Sequence, residues 1–165
     1  MEKGLISIFC GEGKGKTSAA IGQGLKAANE GKTVVIIQFL KGKTSGEFDI
    51  LKRLEPEIKL FRFEKSDICF DDLPPEKQRE ESLNIRNGLN FAKKVLVTGE
   101  CDVLILDEFL GLIDNKIMDI GDLKELLNSK PEEVGIVMTG INIKDEVIKC
   151  VDEITRLETV RFRPQ

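Results

Sequence analysis

The feature that most constrains this chain is the stretch Gly11-Glu12-Gly13-Lys14-Gly15-Lys16-Thr17-Ser18, set between the apolar run Leu5-Ile6-Ser7-Ile8-Phe9 and a helix-like segment that begins near Thr17. Glycines at 11, 13 and 15 let the backbone take positive φ and turn N–H groups inward, and a helix start adds unpaired donors and a positive dipole end. A polyphosphate is the natural guest of such a loop. Lys16, directly before the Thr17 hydroxyl, stands where a phosphate-bridging ammonium and a Mg²⁺-ligating hydroxyl are expected. The general pattern places a further glycine five residues before Gly15, but that position is Cys10, so the loop is one residue short. The competing reading is a Gly/Lys-rich solvated turn, and the strand and helix flanks argue against it.

Downstream, Thr33-Val34-Val35-Ile36-Ile37-Gln38-Phe39 is a continuous β-branched run of the kind found in parallel strands covered on both faces. Strand, loop, helix and strand make a βαβ unit. The polar, glycine-rich residues 40–47 then fall at the C-terminal end of that strand, where open α/β sheets bind ligands, and are read either as a substrate loop or as an ordinary basic connector. A short helix is expected through Ile50, Leu51 and Leu54, and a half-buried strand near a sheet edge over residues 58–63. Residues 64–73 show no period and hold the apolar triplet Ile68-Cys69-Phe70, as a packed plug or a lid would. Pro74-Pro75 opens a long helix that Gly99 ends, with Ile85, Leu89, Ala92 and Leu96 on one face.

Asp102-Val103-Leu104-Ile105-Leu106-Asp107-Glu108 is an apolar run that delivers two adjacent carboxylates at a strand end. One carboxylate can reach Mg²⁺ and the other can hold a water or a substrate group, which offsets the charge of a polyphosphate. Alone, the string is also compatible with a capped strand end; its force comes from following the Gly-Lys-Thr loop. Short helices near residues 109–113 and 123–127, a strand over 134–140, a helix over 145–151 and a last strand over 154–162 complete the pattern. It reads as an α/β, P-loop NTPase-like (RecA-like) fold, a mostly parallel sheet flanked by helices, in a single nucleotide-binding domain of residues 1–165.

Composition narrows the chemistry. The chain has no histidine, which excludes His-based triads, His-ligated zinc and imidazole acid–base catalysis. A net charge of −4 with interspersed signs argues against a nucleic-acid partner. Cys10, Cys69, Cys101 and Cys150 lack C-x-x-C spacing and suit reduced thiols. The first apolar run is too short for a signal peptide and no later one could span a bilayer, so a cytoplasmic protein without a membrane partner is expected.

Several strings, in order, resemble the ATP:corrinoid adenosyltransferases that act on cob(I)alamin or cob(I)yrinic acid diamide. They are the loop with Ala19-Ala20, then Gln38-Phe39-Leu40-Lys41-Gly42, Gly46-Glu47, Leu106-Asp107-Glu108, Thr139-Gly140 and Ile154-Thr155, and they span the chain almost end to end. The shortened loop is this family's own form. The resemblance implies that ATP lies reversed on the loop, so that C5′ of the ribose is open to a cobalt(I) corrinoid that displaces triphosphate. By motif match Gly11, Glu12, Gly13, Lys14, Gly15, Lys16, Thr17, Ser18 and Lys41 would bind ATP. Lys16, Asp107 and Glu108 would serve catalysis, and Thr17 and Glu108 the Mg²⁺. Glu47 is a further candidate. Ile68 and Phe70, which take the place of the family's Gly-Phe-Thr-Trp segment, would face the corrinoid. The family's Thr-Gly-Arg reads Thr139-Gly140-Ile141 here, and its Val-Thr-Glu reads Ile154-Thr155-Arg156. A homodimer and an electron-donating reductase are further implications. From the residues alone two other readings stay open: an ATPase or small-molecule kinase acting at the γ-phosphate, and a nucleotide-binding regulatory module.

Overall fold

The computed structural model of the protein describes residues 3–39, 48–63 and 70–163. Its strands are β1 (Ile6–Cys10), β2 (Val34–Gln38), β3 (Ile58–Arg62), β4 (Val103–Asp107), β5 (Gly135–Gly140) and β6 (Glu153–Arg156). They form one sheet in the order β3-β2-β4-β5-β1-β6, and every neighbouring pair is parallel. Helices α1 (Lys16–Asn29), α2 (Pro75–Val97), α3 (Gly111–Asp114), α4 (Ile120–Asn128) and α5 (Asp145–Ile148) lie in the connections. Parallel strands cannot be joined by hairpins, so each return crosses a face of the sheet and covers it.

Alternation along the central strands sorts the core into two layers. Val35, Ile37, Leu104 and Leu106 pack with Ile85, Ala92, Val95 and Leu96 of α2 and with Leu123 and Leu126 of α4. Val34, Ile36 and Ile105 point the other way, to Ala20, Ile21 and Ala27 of α1. Successive side chains of a strand alternate faces, so a run that is apolar at every position must be covered on both. All of β2 is buried. Truncating a buried aliphatic such as Ile105 to alanine would cost about 2–5 kcal/mol.

Three expectations change. The segment through Ile50 and Leu54 is a 3₁₀ turn, Asp49–Leu54, in which only Leu51 is buried. The helix at 145–151 is the single turn Asp145–Ile148. The last strand stops at Arg156 and not near 162, because beyond that point the backbone pairs with the glycine loop and leaves the sheet. The half-buried strand is β3 and does lie at a sheet edge. Cys10 and Cys101 are buried free thiols and Cys150 is half-buried, while Cys69 lies outside the described residues. Among the described residues no helix is long and apolar enough to cross a membrane.

Candidate active site

β1 ends at Cys10, and the chain turns through residues 11–15 into α1. Gly15, at the helix N-cap, has φ of 99°, a left-handed value that costs a residue with a Cβ. The first bond of the helix ladder runs from Ala19 N to Gly15 O at 2.8 Å. The N–H groups ahead of it therefore open from the helix end, where an anion also meets the positive end of the helix dipole.

The front half of the loop is held differently. Gly11 N donates to Ile141 O at 3.1 Å and Gly13 N to Leu157 O at 3.1 Å, while Leu157 N donates to Cys10 O at 2.8 Å. Lys14 N donates to the Thr159 hydroxyl at 2.7 Å. A Cβ built on Gly13 would stand 2.6 Å from Leu157 O, so glycine is required there by backbone lying on backbone. The N–H groups of Gly11, Gly13 and Lys14 thus serve the protein's own chain. Lys16 Nζ curls over the turn and donates to Gly13 O at 2.9 Å.

On the other side, three adjacent strands end in polar residues that meet. Asp107 closes β4 and is 1% exposed. Its Oδ1 accepts from the Thr17 hydroxyl of α1 at 2.9 Å and from the Thr139 hydroxyl of β5 at 2.8 Å. Its Oδ2 accepts from Gln38 Nε2, at the end of β2, at 3.2 Å. Arg62 Nε, closing β3, donates to Gln38 Oε1 at 2.8 Å, and Arg62 also pairs with Asp49 at 3.2 Å. Glu108 N donates to the Thr139 hydroxyl at 2.7 Å. Glu108 itself has φ of 57°, a strained value for a non-glycine residue of the sort that clusters at functional sites. Each buried polar group named here has a partner, as burial requires.

Two cavities flank the loop. One of about 280 Å³ is lined by Lys16, Thr17, Glu108, Asp114, Asn115 and Thr139, among others. The other, about 630 Å³, lies between residues 11–14 and the segment after β6, with Arg156 and Arg161 on its wall. The first presents a hydroxyl and carboxylates, hard oxygen donors of the kind Mg²⁺ takes together with substrate phosphates. Among the described residues no cluster of three acidic, cysteine or histidine side chains could hold a metal by itself.

The structure therefore brings Lys16, Thr17, Asp107 and Glu108 together beside Gly15 and Ser18, with Gly11, Glu12, Gly13 and Lys14 on the second cavity. Lys41, Glu47 and Ile68 lie outside the described residues. Phe70 sits in the 3₁₀ turn Phe70–Asp72, half-buried against the core, its carbonyl accepting from Gln78 Nε2 at 3.1 Å. It lines neither cavity. Sequence reasoning did not assign site roles to Thr139, Gln38, Arg62 or Thr159. The available signal was a polar residue at the C-terminal end of each of three apolar runs.

An all-parallel sheet, a glycine loop between its first strand and first helix, and a buried aspartate bonded to the loop threonine define a P-loop nucleotide-binding protein. The chain matches the model of the family described as ATP:corrinoid adenosyltransferase BtuR/CobO/CobP along residues 2–164. It belongs to this family, and so is an enzyme, a transferase. It is similar to the corrinoid adenosyltransferase of Escherichia coli (strain K12), with 27% identity over 161 residues that make up 97% of this chain and 79% of that protein. The corrinoid adenosyltransferase CobA of Salmonella typhimurium (strain LT2) is 26% identical, with the same coverage. In fold, the chain is similar to the KaiC-like protein PH0186 from Pyrococcus horikoshii OT3, with a TM-score of 0.63 at 18% identity over 98% of this chain and 76% of that one.

Proposed function

We propose that this chain transfers the 5′-deoxyadenosyl group of ATP to a cobalt(I) corrinoid and releases triphosphate. The Thr17–Asp107 hydrogen bond carries the reading, since it joins the phosphate loop to the acidic strand end within a chain of this family. The open N–H groups at the start of α1 and the Lys16 ammonium receive the polyphosphate. Lys16 gives up its bond to Gly13 O and turns to the phosphates, each charge-assisted bond contributing roughly 1.5–3 kcal/mol. Those bonds favour triphosphate as a leaving group.

Thr17 and Glu108 would hold Mg²⁺, which when bound neutralises phosphate charge. Asp107 takes the Thr17 proton into a hydrogen bond and leaves the hydroxyl lone pairs for the cation. Cobalt(I) is itself the nucleophile, and no protein base is required of a chain without histidine. The bond from cobalt to C5′ forms as the C5′–O bond to triphosphate breaks, and the protein's work is orientation and charge stabilisation. Ile68 and Phe70 are assigned to the corrinoid, and Lys41 to ATP. The reading includes a homodimer and an electron-donating reductase on the strength of the family resemblance, and a single domain and a cytoplasmic setting on the strength of chain length and cysteine spacing.

The test is anaerobic incubation with Mg·ATP and chemically reduced corrinoid. A light-sensitive alkylcobalt product and intact triphosphate in equal amounts are expected. Inorganic phosphate without alkylcobalt would replace this reading with hydrolysis or phosphoryl transfer at the γ-phosphate.

A further inference from the structure

Gln38 is fully buried between two groups of opposite character, and that settles which way its amide faces. A guanidinium can only donate and a carboxylate can only accept. The Gln38 oxygen must therefore face Arg62 Nε, at 2.8 Å, and its nitrogen Asp107 Oδ2, at 3.2 Å. The backbone holds the same alignment. Gln38 pairs with Arg62 on one side and with Asp107 on the other in the strand registers, and Phe63 N donates to Gln38 O at 3.2 Å.

The Asp107 carboxylate is gripped at both oxygens. Oδ1 serves the hydroxyls of Thr17 and Thr139, and Oδ2 serves Gln38. Rotation of the carboxylate that kept one set of bonds would lose the other. From this geometry we infer that Gln38 is a positioning residue for the nucleotide site: oriented by Arg62, it fixes Asp107 so that the Thr17 hydroxyl is held toward the bound cation. The inference rests on the reading of Thr17 as a Mg²⁺ and phosphate residue. It adds a relay that begins on the edge strand β3 and ends on α1.

The charged groups around the Gln38–Asp107 contact, among the described residues, are Arg62 from β3 with Asp49 behind it, Glu108 next in the chain, and Lys16 from the start of α1. Gln38→Glu keeps the shape and the acceptor for Arg62, but sets a second carboxylate against Asp107. It therefore offers Asp107 no donor. Gln38→Met removes donor and acceptor together in a side chain of similar length.

The experiment is titration of the full chain with a fluorescent ATP analogue, wild type against variants, in saturating Mg²⁺ and again in EDTA, with melting temperature as a check on folding. In Mg²⁺ the affinities of Gln38→Glu and Gln38→Met should fall about tenfold below wild type, as expected for one hydrogen bond to a charged group, while in EDTA they should stay within about threefold of it. A deficit that is absent, or that is the same with and without Mg²⁺, overturns the positioning role. Where the Gln38 variants do not fold, Arg62 decides: Arg62→Met should weaken binding about threefold to fivefold and Arg62→Lys, which still donates, should restore it. Equal affinity of Arg62→Met and wild type, or no restoration by lysine, overturns the relay. Absence of Mg·ATP binding by the wild type would instead overturn the reading of the site itself, and this inference with it.

Discussion

The two flanks of the glycine loop are built on opposite principles. Toward β4 the loop is tied by side chains in a buried network, Thr17 to Asp107 to Thr139 and Gln38. Toward β6 it is tied by backbone groups and one exposed hydroxyl, to Leu157 and Thr159. A hydrogen bond out of water is stronger, and the group that loses its partner pays the full desolvation cost; an exposed bond is replaced by water at little loss. The β4 flank accordingly demands particular residue types. The β6 flank demands close approach, and its strict requirement is the absence of a side chain at Gly11 and Gly13, both of which lie against Leu157 O.

Three measurements sharpen or break that contrast, in falling order of effect. Lys16→Ala removes the cation common to both flanks, and ATP turnover should fall by about a hundredfold or more, as loss of several charge-assisted bonds implies; an unchanged ATP affinity and rate would remove Lys16 from the site. Thr17→Val deletes the link to Asp107, and the apparent affinity for Mg·ATP should drop roughly tenfold to thirtyfold, with melting temperature lowered by the donor lost to a buried carboxylate. Thr159→Val deletes the corresponding link on the exposed side, and KM for ATP should rise only about threefold to fivefold at unchanged kcat, with Thr159→Ser restoring it. If the Thr159 variant proved as damaging as the Thr17 variant, the contrast between flanks would be wrong.

The smallest effect lies away from both flanks. Burial, with Asp102 and Glu100 adding to it, pushes the Cys101 thiol from 9.0 up to about 12. A folded-state pKa above the unfolded one favours folding fully below pH 9, and that contribution is lost as pH rises toward 12. Urea midpoints should therefore not respond to Cys101 between pH 7 and 8.5 and should decline above pH 9. Alkylation of the folded protein should mark the half-buried Cys150 ahead of Cys101.

Much of this was legible in the chain because its signals are local. Runs such as Val34-Val35-Ile36-Ile37 announce strands covered on both faces, and the Gly-Lys-Thr loop and the Asp107-Glu108 pair each carry their chemistry within a few residues. Gln38 and Thr139 were harder. A lone polar residue after an apolar run has no period, and it gains meaning only when the strand order sets β2, β4 and β5 side by side. Residues 157–162 misled for the opposite reason. Their β-branched and apolar composition suits an extended backbone, but a strand also needs a neighbour to pair with, and the neighbour on offer was the turn at Gly13. Composition describes the conformation a residue accepts, and pairing decides which element it joins.

The attachment of Lys14 to Thr159 spans 145 residues, and β1 lies between β5 and β6 in the sheet. During synthesis the first strand therefore waits for partners made long after it. Residues 11–15 leave the ribosome early, yet their backbone groups find their acceptors only once Ile141, Leu157 and Thr159 have followed. Helices α1 and α2 and the β2–β4 pair involve no residue beyond Asp107, so their partners all lie in the earlier part of the chain. The front half of the loop is thus fastened only by the end of the chain, and a nascent chain halted before β6 would carry the phosphate-binding residues with Gly13 and Lys14 still untied.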